Sequence, residues 1–388
     1  MHLVRVGGEM RGAIVKRGKS WSYVLYLGRD QDGKKRQKWV GGFRTRRDAE
    51  EALTQSLDRV RTGTWADPGR ITVAEYLAQW LDGVRPSLRP KTAASYEDAL
   101  RGWVIPRVGS VRLVGLTAPR LRALYGELLE SGRRNGSGGL SPRSVQYAHR
   151  ILSHALKDAV DHGLLVRNPA SLVKPPRVPK PPMRVWSADE ARRFLAAVAD
   201  DRLCALWTLL LTTGLRRGEV LGLHWEDVDL KRGRLAVRQT VVAIGYDVDI
   251  SEPKTTTGRR SVSLDPSTVA ALKAHRRRQA EELLRAELAA RESELVFTTE
   301  DGSMIHPDRI SKVFAQLIEQ HELRTIRVHD LRHTAATLAL TAGVHPKVVQ
   351  ERLGHANIAI TLDTYSHVLQ GLQEDAADKV AALVFEGA

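Results

Sequence analysis

Short runs of alternating apolar and polar residues open the chain, then give way to a helical spacing that fills most of the remainder. From residue 12 the pattern predicts three strands and a helix. "SWSYVLYLG" and the basic "KKRQKWVGGF" flank the turn "RDQDGK", and "TRRDAEEALTQSLDRV" has helical spacing behind a Thr45 cap. Residues 1–64 therefore read as a small sheet with one helix. Two placements fit Trp21 and Tyr23 equally: exposed on the sheet against a DNA groove, or packed on the helix.

From Ile71 to Ala170 the spacing is helical throughout. "TVAEYLAQWL", "KTAASYEDALRGWV", "TAPRLRALYGELLE" and "SPRSVQYAHRILSHALKDAVDHG" each begin near a capping Thr or Ser. Residues 171–186 hold five of the chain's 16 prolines, so they read as a semi-rigid linker. Residues 187–388 are mainly helical, interrupted by three short strands, "GRLAVRQTVVAI", "DVDISEPK" and "RRSVSL". Lys254 sits at the end of the second, beside the turn "TTTG". The fold class is multidomain: a small β-sheet-plus-helix N-terminal domain, an all-α domain, and a mainly α domain with a small antiparallel sheet.

At 388 residues the chain exceeds one typical domain, and two or three are expected. No apolar run approaches the roughly 18 residues of a membrane span, and the N-terminus lacks the apolar stretch of a secretory signal. The single cysteine, Cys204, lies in the apolar "CALWTLLL" and reads as a structural residue; a cytoplasmic location follows. The formal charge of +15 is uneven. Residues 1–186 carry +18 and residues 187–388 carry −3. Such asymmetry predicts that the front half meets a polyanion.

Candidate chemistry lies in the other half. "VHDLRHTAATL" puts His329, Arg332 and His333 on one edge of an amphipathic helix. "LTTGLRRGEVLGLHWEDVD" offers Arg216, Arg217 and Glu219, "SEPKTTTGRR" offers Lys254, and "LGHANIAITLDTY" offers His355 and Tyr365. Two guanidiniums can fork onto a phosphodiester and hold the charge that builds at phosphorus. A tyrosine hydroxyl can attack phosphorus if a base or cationic field assists, and a lysine can protonate the departing oxygen. The inventory suits phosphate chemistry with no cofactor and no metal.

In their order and spacing, "TGLRRGE", "HDLRHT" and "LGH" with a tyrosine ten residues on resemble the signatures of the tyrosine recombinases of the phage-integrase family. The resemblance runs along essentially the whole chain. It implies that residues 1–64 are an arm-type DNA-binding domain, 71–170 a helical core-binding domain, and 187–388 the catalytic domain. By position it implies catalytic roles for Arg216, Lys254, His329, Arg332, His355 and the nucleophile Tyr365, with Glu219 orienting Arg216. Arg217 falls on a variable position and His333 on a supporting one. A 3′-phosphotyrosine would conserve the phosphodiester bond energy, so rejoining needs no ATP. His329 is expected to assist the tyrosine's deprotonation and Lys254 to protonate the leaving oxygen. The implied partners are double-stranded DNA at core-type and arm-type sites, a homotetramer on that DNA, and accessory bending and directionality proteins.

Other readings use fewer of these residues. A zinc hydrolase would take His329 and His333 as ligands with His355 as a third, but Asp330 stands where its glutamate base belongs. A non-catalytic DNA-binding regulator would use the basic front half alone. A type IB topoisomerase shares the chemistry without needing an arm-type domain.

Overall fold

The computed structural model describes residues 2–6, 9–29, 35–61, 70–179, 183–252, 258–285, 294–369, 380–382 and 384–385. The chain divides into two compact units, Met1–Lys180 and Pro181–Ala388.

The first unit opens with an antiparallel meander of β1 (His2–Val6), β2 (Glu9–Arg17), β3 (Ser20–Arg29) and β4 (Lys35–Phe43), followed by α1 (Arg46–Arg61). The sheet thus has four strands where the alternation predicted three. The added strand is five residues long, too short to declare a period, and its conformation comes from pairing along β2. Ile14, Tyr23, Leu25 and Phe43 pack on Ala49, Leu53 and Leu57 of α1. Tyr23 is buried, with its Oη 2.8 Å from Ser56 Oγ, and half-buried Trp21 leans on the same cluster. Packing therefore accounts for both aromatics. The exposed ring of this sheet is Trp39, 40% accessible beneath the Arg17 guanidinium at 4.4 Å.

The helical part of this unit comprises α2 (Val73–Val84), α3 (Pro90–Ala99), α4 (Ile105–Val108), α5 (Ala118–Ser131) and α6 (Pro142–Asp161), with a π turn at Leu100–Val104 joining α3 to α4. Thr72 caps α2 in a reciprocal box with Glu75, and Ser141 caps α6. Ala170 and Val173 still belong to this core, while Trp186 is fully buried in the next one. Of the stretch read as a linker, residues 171–186, Val173 and Trp186 are thus core residues.

The second unit runs α7 (Ala188–Ala197), α8 (Cys204–Thr213), α9 (Arg217–Leu221), β5 (Val228–Asp229), β6 (Arg234–Val237), β7 (Thr240–Ile244), β8 (Asp247–Ser251), β9 (Arg260–Ser263), α10 (Pro266–Arg285), α11 (Pro307–Gln320), α12 (Val328–Thr341), α13 (Pro346–Leu353) and α14 (Ile358–Leu369). The run read as one strand over 233–244 breaks at Arg238–Gln239. Its halves enter different sheets, β5–β6–β9 and the β7–β8 hairpin. Cys204 is a free, half-buried thiol at the start of α8.

Four rings form the centre of this unit. Phe314 of α11 lies 5.7 Å from Trp186, 5.5 Å from Phe194 and 5.4 Å from Trp207. Phe314→Ala would open a cavity where the four elements meet and should destabilise this unit by about 3–5 kcal/mol. Urea unfolding of the full chain, followed by tryptophan fluorescence, measures the loss.

Candidate active site

Helix α8 is apolar nearly all round and ends on Gly214, whose φ of +67° places it in the left-handed region. A Cβ there would fall 2.6 Å from Leu353 Cδ2, so the position also demands glycine for space. Two residues on, Arg216 caps the short α9. Glu219 of its first turn accepts from the Arg216 backbone N–H at 2.9 Å and from Nη1 at 2.6 Å. The Arg216 side chain stays 42% exposed. Its neighbour Arg217 turns away to Ser311 and Asp308.

Arg332 comes from α12 and is only 3% exposed. Its Nη1 donates to the carbonyl of Gly214 and its Nη2 to that of Leu353, each at 2.7 Å. These are the C-terminal ends of α8 and α13, where helix carbonyls lack partners and carry partial negative charge. Burial, then the charge of Arg216, lowers the Arg332 pKa to about 9, leaving it protonated at neutral pH.

Just past α13, Gly354 repeats the left-handed cap, with φ +66°, and delivers His355 to the same place. Gln350 Nε2 holds the His355 carbonyl at 2.6 Å, and His355 Nδ1 meets Thr361 Oγ1 at 2.9 Å. When the Thr361 hydroxyl donates, the ring proton is on Nε2. Burial, then the charges of Arg332 and Arg216, lowers the His355 pKa to about 4.

Two further arginines escaped the sequence reading. Arg260, on β9, donates through Nη2 to Glu219 at 2.8 Å and through Nε to the Arg352 carbonyl at 2.6 Å. Arg352 donates to the carbonyls of Thr212 and Ser263 at 3.1 and 3.2 Å. Arg260 was visible in "TTTGRRS" as part of a strand start, but its partners Glu219 and Arg352 lie 41 and 92 residues away. Burial would raise the carboxyl pKa of Glu219, 4% exposed, but Arg260 and Arg216 outweigh it and hold it below the ordinary value. Of these four arginines, Arg216 and Arg260 hydrogen-bond the Glu219 carboxylate, while Arg332 and Arg352 donate to backbone carbonyls.

Tyr365 lies where α14 departs from helical geometry, at φ −117° and ψ 20°. It is fully buried among Ala336, Leu340, Val349 and Leu353. Burial lifts its pKa to about 12, against the lowering charge of Arg332. Its hydroxyl is 2.9 Å from Nδ1 of His333, the residue set aside as supporting. His329, expected beside the tyrosine, is exposed, and its ring meets that of His333 edge-on at 5.0 Å. Desolvation of the ring, then the neighbouring His333 and Arg332, lowers its pKa. Lys254 lies outside the described residues. Arg216, Arg332, His355 and Tyr365 are thus brought together, with His329 and His333 alongside. Among the described residues, no three His, Cys, Asp or Glu side chains converge as zinc ligands would.

A folded pKa below the ordinary 4.5 means that Glu219 contributes stability fully above that value, lost as pH falls through the folded pKa. Glu219→Ala should cost about 3–5 kcal/mol at neutral pH by leaving Arg260 buried without its counter-charge. The difference from wild type should narrow below pH 4.5 in urea titrations. Gly214→Ala, strained in φ and in contact with Leu353, should lower stability by more than about 1 kcal/mol. It should also disturb the Arg332 carbonyl cradle, which DNA-binding assays would register.

Residues 184–371 match the phage integrase family, residues 13–60 an arm DNA-binding domain, and residues 72–129 the phage integrase N-terminal SAM-like domain. The chain is 30% identical over 385 residues to a tyrosine recombinase XerC-like protein of Caldanaerobacter subterraneus subsp. tengcongensis, covering 94% of this chain and 96% of that one. Its fold is similar to the Tn1549 transposon integrase in complex with a circular intermediate DNA: TM-score 0.64, 20% identity, 79% of this chain and 99% of that one. It is also similar to a subunit of a lambda integrase tetramer bound to a Holliday junction: TM-score 0.57, 18% identity, 89% of this chain and 95% of that one.

Proposed function

The chain belongs to the phage integrase family of tyrosine recombinases, and on that footing we propose that Tyr365 is the nucleophile with which it cuts and rejoins DNA. It is a site-specific recombinase that integrates or excises a mobile element. What supports the assignment of roles is the convergence around Arg332: Arg216, His355 and Tyr365 all lie within electrostatic reach of its guanidinium.

Arg332 and Arg216 clamp the scissile phosphate. Arg332 is immobilised through two of its N–H groups and, among the described residues, keeps others for phosphate oxygens. Arg216, held by Glu219 yet accessible, presents the second fork. His355 offers a neutral ring N–H, and exposed His329 stands against His333. Charge held by dipoles and not cancelled by acids stays available to the phosphorane that forms in flight. Tyr365 Oη attacks phosphorus, giving a 3′-phosphotyrosine and a 5′-oxygen that Lys254 protonates. Rejoining reverses these steps without ATP.

The basic front half supplies positioning. The arm-type and core-binding domains hold arm-type and core-type sites, and four copies assemble to exchange strands, as the lambda integrase tetramer on its junction suggests by likeness of fold. Among the described residues no helix is long and apolar enough to cross a membrane, and we place the chain with DNA in the bacterial cytoplasm. Binding through Lys and Arg phosphate contacts should fall steeply with salt, and a linear log–log plot of affinity against salt checks this.

The decisive experiment is covalent capture in EDTA. Wild type and Tyr365→Phe are incubated with fragmented source DNA and denatured in detergent, and the DNA still bound to protein is sequenced. DNA should remain on wild type and not on the variant; equal capture by both rejects Tyr365 as nucleophile. Arg332→Lys, which removes the fork, should reduce capture rates by about 10²–10³-fold.

A further inference from the structure

The phenol that must lose a proton is hydrogen-bonded to a side chain for which the scheme above has no use. Tyr365 Oη and His333 Nδ1 are 2.9 Å apart, with ring centroids at 5.9 Å. That is within the reach required of a general base. His329 touches the other ring of this pair and faces solvent.

We propose that His333, rather than His329, takes the proton of Tyr365 as its oxygen attacks phosphorus. This rests on the assignment of Tyr365 as nucleophile. The O–H bond breaks toward Nδ1 while the Oη–P bond forms. The P–O5′ bond then breaks, and the 5′-oxygen takes a separate proton from the donor assigned above to Lys254. On rejoining, the 5′-hydroxyl returns its proton to the Lys254 amine and displaces tyrosine, while the His333 imidazolium returns its proton to Oη.

The surroundings of His333 suit that role. Its position on α12, one residue from the clamped Arg332, ties the base to the phosphate site. Burial lowers its pKa, Asp330 opposes this from one turn earlier, and Arg332 and Arg327 reinforce it. The resting ring is therefore neutral and able to accept. Asp330, buried and anionic, then favours the imidazolium once it forms. The other groups facing it are His329 on the same helix, His355 beyond α13 and Tyr365 on α14. A phenol lifted to about 12 does not ionise by itself at neutral pH, so transfer has to accompany attack.

A purely structural anchor would need only the hydrogen bond, and His333→Asn separates the two roles. Its Oδ1 can accept from Tyr365 where Nδ1 does, but it cannot take the proton. The probe is a synthetic duplex carrying the captured site, nicked just 3′ of the scissile phosphate so that the released 5′-end diffuses away. Single-turnover formation of the covalent complex is followed against pH for wild type, His333→Ala, His333→Asn and His329→Asn. Both His333 variants should bind the duplex, react about 10²–10⁴-fold more slowly, and lose the fall in rate that wild type shows on acidification. If His333→Asn reacts like wild type, or if only His329→Asn abolishes the acid limb, His333 is an anchor and the proposal is overturned. If wild type itself forms no complex, the nucleophile assignment fails, and this proposal with it.

Discussion

The second unit depends on a buried cation held by carbonyl oxygens. Arg332 is almost wholly removed from water, and its immediate partners are the C-terminal carbonyls of α8 and α13, not a carboxylate. Dipoles fix the guanidinium in place without cancelling its charge. A carboxylate would have held it equally firmly and neutralised it for a phosphate. Arg352 repeats the device on Thr212 and Ser263, and Arg260 rests partly on the Arg352 carbonyl. Glu219 lies between Arg216 and Arg260 and orients both. The site is thus strongly positive before any DNA arrives, which is a cost to folding and a preparation for a polyanion.

That arrangement explains how much could be read in advance. Arg216, His329, Arg332, His355 and Tyr365 stood out because each sits beside a glycine stop or on a helix edge within a few residues of another polar group. Fold class was legible for a similar reason: capping residues and spacing are local, as the Thr72–Glu75 box illustrates. What escaped depends on distance. Arg260 finds Glu219 across 41 residues, and Arg352 finds Thr212 across 140. No local pattern marks either pair. His333 was in plain view, but its significance comes from a contact 32 residues downstream.

Strand boundaries failed where pairing, not pattern, decides. His2–Val6 is a strand because β2 offers it an edge, and the run 233–244 is two strands because β6 pairs with β9 while β7 turns back on β8. Composition is blind to the ends of the proline-rich stretch, where Val173 and Trp186 each belong to a core.

The left-handed glycines at 214 and 354 bear on how such a protein can drift. Two of the ligands that hold Arg332 are main-chain oxygens, and no codon change deletes a main-chain oxygen. Exposed side chains along α8 and α13 can be exchanged so long as the buried ones, such as Trp207 and Leu353, keep their packing and each helix still stops on its glycine, which aims the carbonyl. Charge placement is thereby encoded by two glycines and one arginine and not by a web of matched partners. A lineage could rewrite most of the surrounding text, for a new DNA target or a new neighbour, and inherit the phosphate grip intact.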